Sequence, residues 1–245
     1  LPQGRAPMDG LGAGARHHVI ELNTGTVDEI ALLAAHCDDI AIGMGGTLLT
    51  MATRRPGFRV RALVLTGGGT ERESEERAAL TALCPGAEVT VDVLDFPDGR
   101  APAHWNQIKD ALSAFRRESG ASLVFAPQRR DAHQDHRLLA TLAPTEFRDH
   151  LILGYEIIKW ETDTPTPTVF QPLTDHIARS KADLIYAHYP SQRPHDWFDH
   201  ETFLAVARVR GVQCRHRYAE AFVLEKATIE LGAAPSATSP LGAAL

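Results

Sequence analysis

Six uninterrupted apolar residues, Ile30-Ala31-Leu32-Leu33-Ala34-Ala35, run straight into His36-Cys37-Asp38-Asp39. A run this short, apolar at every position, fits a strand buried on both faces of a parallel sheet. The pattern then repeats. Residues 60–66, 89–94 and 123–126 are further short strand-like runs, separated by segments of helical spacing at 45–54, 71–83 and 103–118. In the last of these, Ile108, Leu112 and Phe115 fall in helical register. Residues 133–147 predict another helix, interrupted near Pro144, and 175–188 and 201–210 predict two more. Residues 151–160, 169–173 and 221–224 are the remaining strand candidates. Such alternation predicts an α/β fold that is Rossmann-like, with a mostly parallel sheet and helices on both faces. The expected organisation is one domain over residues 17–228. Residues 1–16 and 229–245, rich in Gly, Ala and Pro or Ser, are expected to be flexible termini.

Ligands in such folds sit beyond the carboxyl ends of the strands, where the strand order switches. With an order such as 3-2-1-4-5, the first and fourth strands are neighbours at that point. The first is followed by His36-Cys37-Asp38-Asp39, and the fourth by Asp131-Ala132-His133-Gln134-Asp135-His136. Topology therefore brings together two motifs almost a hundred residues apart. His36 and Asp39 can curl around a divalent metal from one loop, and His136 can close the set from the other. This is the three-ligand arrangement of a hydrolytic zinc site, in which a fourth position takes water. Asp38 and Asp135 are spare carboxylates. One of them can take a proton from a water whose pKa the metal lowers towards about 7. Each segment alone has a plainer reading as a helix cap or turn pair, open equally to Asp131. In combination, so many acids beside two histidines call for a cation.

Ala35-His36-Cys37-Asp38-Asp39, followed by Gly43-x-Gly45-Gly46-Thr47-Leu48, resembles the AHPDD-x(3)-G-x-GGTL signature of the PIG-L/LmbE-like deacetylases. His133-Gln134-Asp135-His136 resembles that family's second motif. The resemblance runs from about Ile30 to Leu224. It implies zinc, or another divalent metal, and removal of the acetyl group from an N-acetylated amino sugar or glycoconjugate. It makes His36, Asp39 and His136 the metal ligands and Asp38 the general base. His133 then assists the tetrahedral intermediate or protonates the amine, and Asp135 supports an imidazole.

The chain departs from this pattern in places. Cys37 stands where the family usually has Pro, and Ile40 where Glu is common. Cys37 reads as a small buried hydrophobe, with a ligand or nucleophile as the alternative. Some members carry a Tyr at the position of Asp131, so any further oxyanion donor must come from elsewhere. Asp98, Arg77 and His188 are the candidate substrate contacts, and loops around Thr70, Asp98 and Ser191 are expected to cover the crevice. The other histidines, His195 among them, read as surface or structural residues. Gly67-Gly68-Gly69 lacks a nucleotide-binding fingerprint and reads as a turn.

A formal charge of -6 with both signs scattered argues against a nucleic-acid surface. No apolar stretch approaches the roughly 20 residues of a membrane helix. Three widely spaced cysteines and no evident leader fit a reduced, cytoplasmic protein, with a homo-oligomer possible in principle. Two readings compete with the N-deacetylase. One is an amidase of a thiol conjugate; the other is a Rossmann-like binding module or metal-binding protein without catalysis.

Overall fold

Strand β1 (Glu29–Ala34) is buried along its whole length, and Ile30, Leu32 and Leu33 expose no surface. The computed structural model describes residues 27–228. The expected termini, and residues 17–26 of the expected domain, lie outside the described residues. Strands β2 (Arg59–Val64), β3 (Glu88–Val93), β4 (Leu123–Pro127) and β5 (Leu151–Tyr155) pair in parallel on either side of β1. Strands β6 (Val169–Leu173) and β7 (Tyr218–Leu224) add an antiparallel edge. The sheet order is β3-β2-β1-β4-β5-β7-β6, so the expected 3-2-1-4-5 core is present.

Side chains of β1 alternate between two cores, as the two-residue period of a strand requires. Ile30, Leu32 and Ala34 pack with helices α1 (Asp39–Arg54), α2 (Glu71–Leu83) and α5 (Asp175–His188). Ala31 and Leu33 pack with α3 (Trp105–Glu118) and α4 (Gln134–Glu146) on the opposite face. Ile108, Leu112 and Phe115 of α3 are all buried there, as their spacing predicted. Each fully buried Leu or Ile contributes about 1.5–3 kcal/mol from burial. Helix α6 (His200–Gln213) packs on β7 and α5.

Strand β7 begins three residues before, and α6 ends three residues after, the expected bounds, and three larger departures shape the fold. Helix α1 begins at Asp39 rather than residue 45. Met44 (φ -149°, ψ 17°) breaks it, so one turn precedes the helix that the periodicity predicted. The second part starts with unpaired amides, and Glu220 of β7 supplies the acceptors that cap them. Its carboxylate accepts from Gly46 N (2.8 Å), Thr47 N (2.6 Å) and Thr47 Oγ1 (2.6 Å). The glycines let the two elements approach. A Cβ on Gly43 would lie 2.3 Å from Tyr155 Cδ2. Strand β5 stops at Tyr155 instead of continuing to residue 160, which frees residues 157–160 to line a cleft. Pro144 does not interrupt α4, because it falls in the last turn before the helix ends at Glu146.

Candidate active site

Strands β1 and β4 are hydrogen-bonded neighbours, with Leu32 opposite Phe125. Their following helices lie on opposite faces of the sheet, so the loops leaving them open a crevice between them. A cleft of about 690 Å³ occupies that position, and His36, Asp38, Asp39, His133 and His136 all line it. Distant segments thus meet at the switch point that the strand order defines.

The metal-ligand candidates face one another. His36 Nδ1 lies 3.0 Å from His136 Nε2 and 3.7 Å from Asp39 Oδ2, and His136 Nε2 lies 3.2 Å from Asp39 Oδ2. A tetrahedral ion with bonds of about 2.0–2.1 Å would space its ligands at roughly 3.3–3.4 Å, within that range. The outer ring nitrogens meet carboxylates. His36 Nε2 is 3.3 Å from Asp135 Oδ2 and 3.0 Å from Asp98 Oδ1. His136 Nδ1 is 3.0 Å from Asp131 Oδ1, an ion-pair contact rather than an aligned hydrogen bond. With each outer nitrogen carrying its proton, neutral imidazoles would aim two lone pairs at each other and at a carboxylate oxygen. That donor set fits a divalent cation. His133 brings a third imidazole close, so that His36, His133 and His136 also form a donor set, and a second set formed by His36, Asp98, His133 and Asp135 overlaps it.

Without a cation, protons supply the positive charge. Burial opposes the charged form of His36, but Asp135, Asp39 and Asp98 hold its proton, raising its pKa well above the usual imidazole value. For His136, Asp39 and Asp131 likewise outweigh burial and push the pKa up to about 9. Asp39 is held well below the ordinary carboxylate range, as His136 and His36 overcome its burial. Asp39 also accepts from the amides of Ala35 (3.0 Å) and His36 (2.9 Å), which ties the ligand loop into a turn.

Asp38 is built differently. Its φ of 108° lies in the left-handed region, where a non-glycine residue costs about 1–3 kcal/mol. The surroundings hold it there. Asp38 N donates to Glu76 Oε2 at 2.9 Å, and Arg72 donates to the carbonyl of Cys37. Arg72 Nη2 also pairs with Asp38 Oδ2 at 3.2 Å. Burial pushes the Asp38 carboxyl up to about 7, and the Arg72 guanidinium opposes that rise. Glu76 is itself buried and accepts from Tyr189 Oη at 2.6 Å.

His133 caps α4, its Nδ1 accepting from Asp135 N at 3.4 Å. Neutral His133 therefore carries its proton on Nε2. Burial, followed by the charges of His36 and His136, lowers its pKa and favours that neutral form. Asp135 does more than support an imidazole. It also accepts from Gly99 N (2.8 Å) and Ala101 N (3.0 Å), fastening the turn that carries Asp98 beside the histidines.

Two expected substrate contacts lie elsewhere. Arg77 does not line the cleft; it reaches the β3 carbonyl of Val91 (2.6 Å) and pairs with Glu73. Arg72, one and a half turns earlier on α2, is the arginine in the cleft. His188 ends α5 away from the cleft, whereas the next residue, Tyr189, is buried against Glu76. Asp98 does line the cleft. His195, read from sequence as surface or structural, lines it too, together with Lys159, Trp160 and Trp197. Asp131 is more than a cap. It receives Lys159 Nζ at 3.0 Å and faces His136. A second carboxylate beside the histidines of one motif was the available signal for Asp131. Nothing local in the sequence marked the tryptophans. Cys37 also lines the cleft, but its thiol is buried, donates to Thr66 O at 3.5 Å, and is pushed far above the usual thiol range by burial.

The chain is similar to several known proteins. The chain is 32% identical over 139 residues to an Escherichia coli K12 protein named as an uncharacterized deacetylase, YaiS, covering 52% of this chain and 72% of that one. Its fold is similar to N,N'-diacetylchitobiose deacetylase from Pyrococcus horikoshii (TM-score 0.64, 23% identity, 81% of this chain and 84% of that one). It is also similar to GalB, the 4-carboxy-2-hydroxymuconate hydratase of Pseudomonas putida KT2440 (TM-score 0.63, 17% identity, 84% and 100%). These structural likenesses concern the fold. Residues 31–147, which carry both motifs, match the family described as PIG-L, GlcNAc-PI de-N-acetylase, and the chain belongs to that family of deacetylases.

Proposed function

We infer that this chain is a metal-dependent amide hydrolase that removes the acetyl group from the N-acetyl amine of an amino sugar or glycoconjugate. A hydratase shares the fold, so the fold alone does not choose the reaction. The observation that carries the reading is the pairing of a metal-ligand triangle with a separate buried carboxylate, Asp38, in one cleft. Family membership and the relative named as a deacetylase support it.

His36, Asp39 and His136 would hold the ion, zinc or another divalent metal. When bound, it supplies a Lewis acid that makes water nucleophilic near neutral pH and polarises a carbonyl. Asp38, with a carboxyl raised to about 7, is matched to take the proton of the attacking water. Water adds to the amide carbon, and His133 Nε2–H is a donor for the oxyanion of the tetrahedral intermediate. The C–N bond then breaks. The proton taken by Asp38 passes to the departing amine, leaving acetate and the free amino sugar. Arg72 and Glu76 keep Asp38 in its strained conformation beside the ligands.

The test is acetate release from N-acetylglucosamine derivatives by the zinc-loaded protein. Turnover should vanish with chelator, return with zinc, and fall by at least about a thousandfold in Asp38→Asn with the metal still bound. Near-normal turnover in that variant removes Asp38 as the base.

A further inference from the structure

The mechanism uses the floor of the cleft and leaves one part of its wall unexplained. Trp160 is 64% exposed, the largest exposure among the big apolar side chains of the described residues, yet its ring is held in place. Its Nε1 donates to Asp196 Oδ1 at 3.2 Å. Its ring meets His195 edge-on (centroids 5.2 Å apart, planes at 83°) and Trp197 likewise (6.0 Å, 81°). The rings of His195 and Trp197 are parallel to within 2°. All three line the same cleft as His36 and Asp38, along with Glu161 and Gln192.

These residues come from the segment after β5 and from the connection between α5 and α6, not from the loops that carry the metal ligands. A tryptophan fixed by a hydrogen bond and two ring contacts, with its surface still open, is organised to receive something flat. A carboxylate and an amide nearby suit hydroxyl groups. The volume, about 690 Å³, lies within the range of pockets that enclose ligands larger than one amino-sugar ring.

We propose that Trp160, with His195 and Trp197, forms a second subsite that stacks the ring attached to the acetylated amino sugar. The stacked ring is a second pyranose or an aromatic aglycone joined to that sugar. This rests on the amino-sugar reading above. Both rings offer the same chemistry, a flat C–H or π face for the indole.

The experiment is a calorimetric titration of zinc-loaded protein in an Asp38→Asn background, so that the acetamide survives. The probes are N-acetylglucosamine, N,N'-diacetylchitobiose and 4-nitrophenyl N-acetyl-β-glucosaminide. The expected result is tighter binding of at least one two-ring ligand, by about tenfold over the monosaccharide. Trp160→Ala should abolish that ratio and Trp160→Phe should retain part of it, with zinc content unchanged in both. The two-ring ligand that gains identifies the attached ring as sugar or aryl. Equal affinity for one and two rings, or an unchanged ratio in Trp160→Ala, overturns the subsite while leaving the deacetylase reading intact. Binding of none of the three ligands overturns the amino-sugar reading itself, and the subsite with it.

Discussion

Replacing Glu220 by Ala should be among the most destabilising single changes in this chain. Its carboxylate caps the second part of α1 through two amides and one hydroxyl, and it pairs with Lys181 Nζ at 2.6 Å. Lys181 and Glu220 are about 5% and 4% exposed, so neither charge has water as a substitute. Hydrogen bonds to a charged group contribute about 1.5–3 kcal/mol each, but the desolvation of both ions offsets much of that sum. Removing one partner of a buried ion pair costs about 3–5 kcal/mol, because the other charge is left stranded. Lys181 would retain only the carbonyl of Ile42, at 2.6 Å. With a urea m-value of about 2 kcal/mol/M, a loss of about 4 kcal/mol lowers the midpoint by about 2 M. Urea titration followed by far-UV circular dichroism, with m unchanged between variants, reads this directly. Adding Lys181→Met should recover about 1–3 kcal/mol by removing the stranded charge. A midpoint shift under about 0.5 M for Glu220→Ala, or a double variant no more stable than the single one, would refute the capping account.

Three further outcomes concern the site. Asp131→Asn should weaken zinc binding about 10- to 100-fold, measured by chelator competition, because His136 loses the charged partner of its outer nitrogen; unchanged affinity would make Asp131 a mere cap. Metal affinity should rise with pH. The carboxylates around them raise the pKa values of His36 and His136, to about 9 for His136, so a proton held between the facing ring nitrogens must leave for the ion to bind. The same sign applies to the metal-free fold: the histidine contribution is full below about 6.5 and fades as pH rises through the folded values. Chelator competition at pH 6, 7 and 8 should show at least about a tenfold gain per unit, and a flat response would contradict the donor geometry. Arg72→Met removes the cation that restrains the Asp38 carboxyl, so the acidic limb of the pH–rate profile should move upward; a limb that stays in place or moves down assigns the base elsewhere.

Among the described residues, no helix is long and apolar enough to cross a membrane, in keeping with the absence of a long apolar run. Much of the fold was legible because its signals are local. The apolar run at 30–35 and the register of Ile108, Leu112 and Phe115 report their own burial, since a buried face must be apolar at the period of its element. The break at Met44 was not legible. It depends on Glu220, 174 residues beyond the Gly46 it caps, and no local preference encodes a cap supplied by another strand. Residues 151–160 read as one strand for a similar reason. Isoleucine and tryptophan favour a sheet, and only the arrangement of the cleft shows that 156–160 leave it.

The sequence by itself determined the reactive groups and their grouping into two motifs at strand ends, because spacing within a motif survives folding unchanged. The tertiary structure decided which groups face one another. It set Asp131 rather than a solvent molecule behind His136, and Arg72 rather than Arg77 beside Asp38. It also gathered Trp160, His195 and Trp197 into one wall. Both arginines sit on the same helix within two turns of each other. Which of them enters the cleft follows from the rotation of α2 against β3, α1 and α5, a consequence of packing that no stretch of sequence around either arginine records.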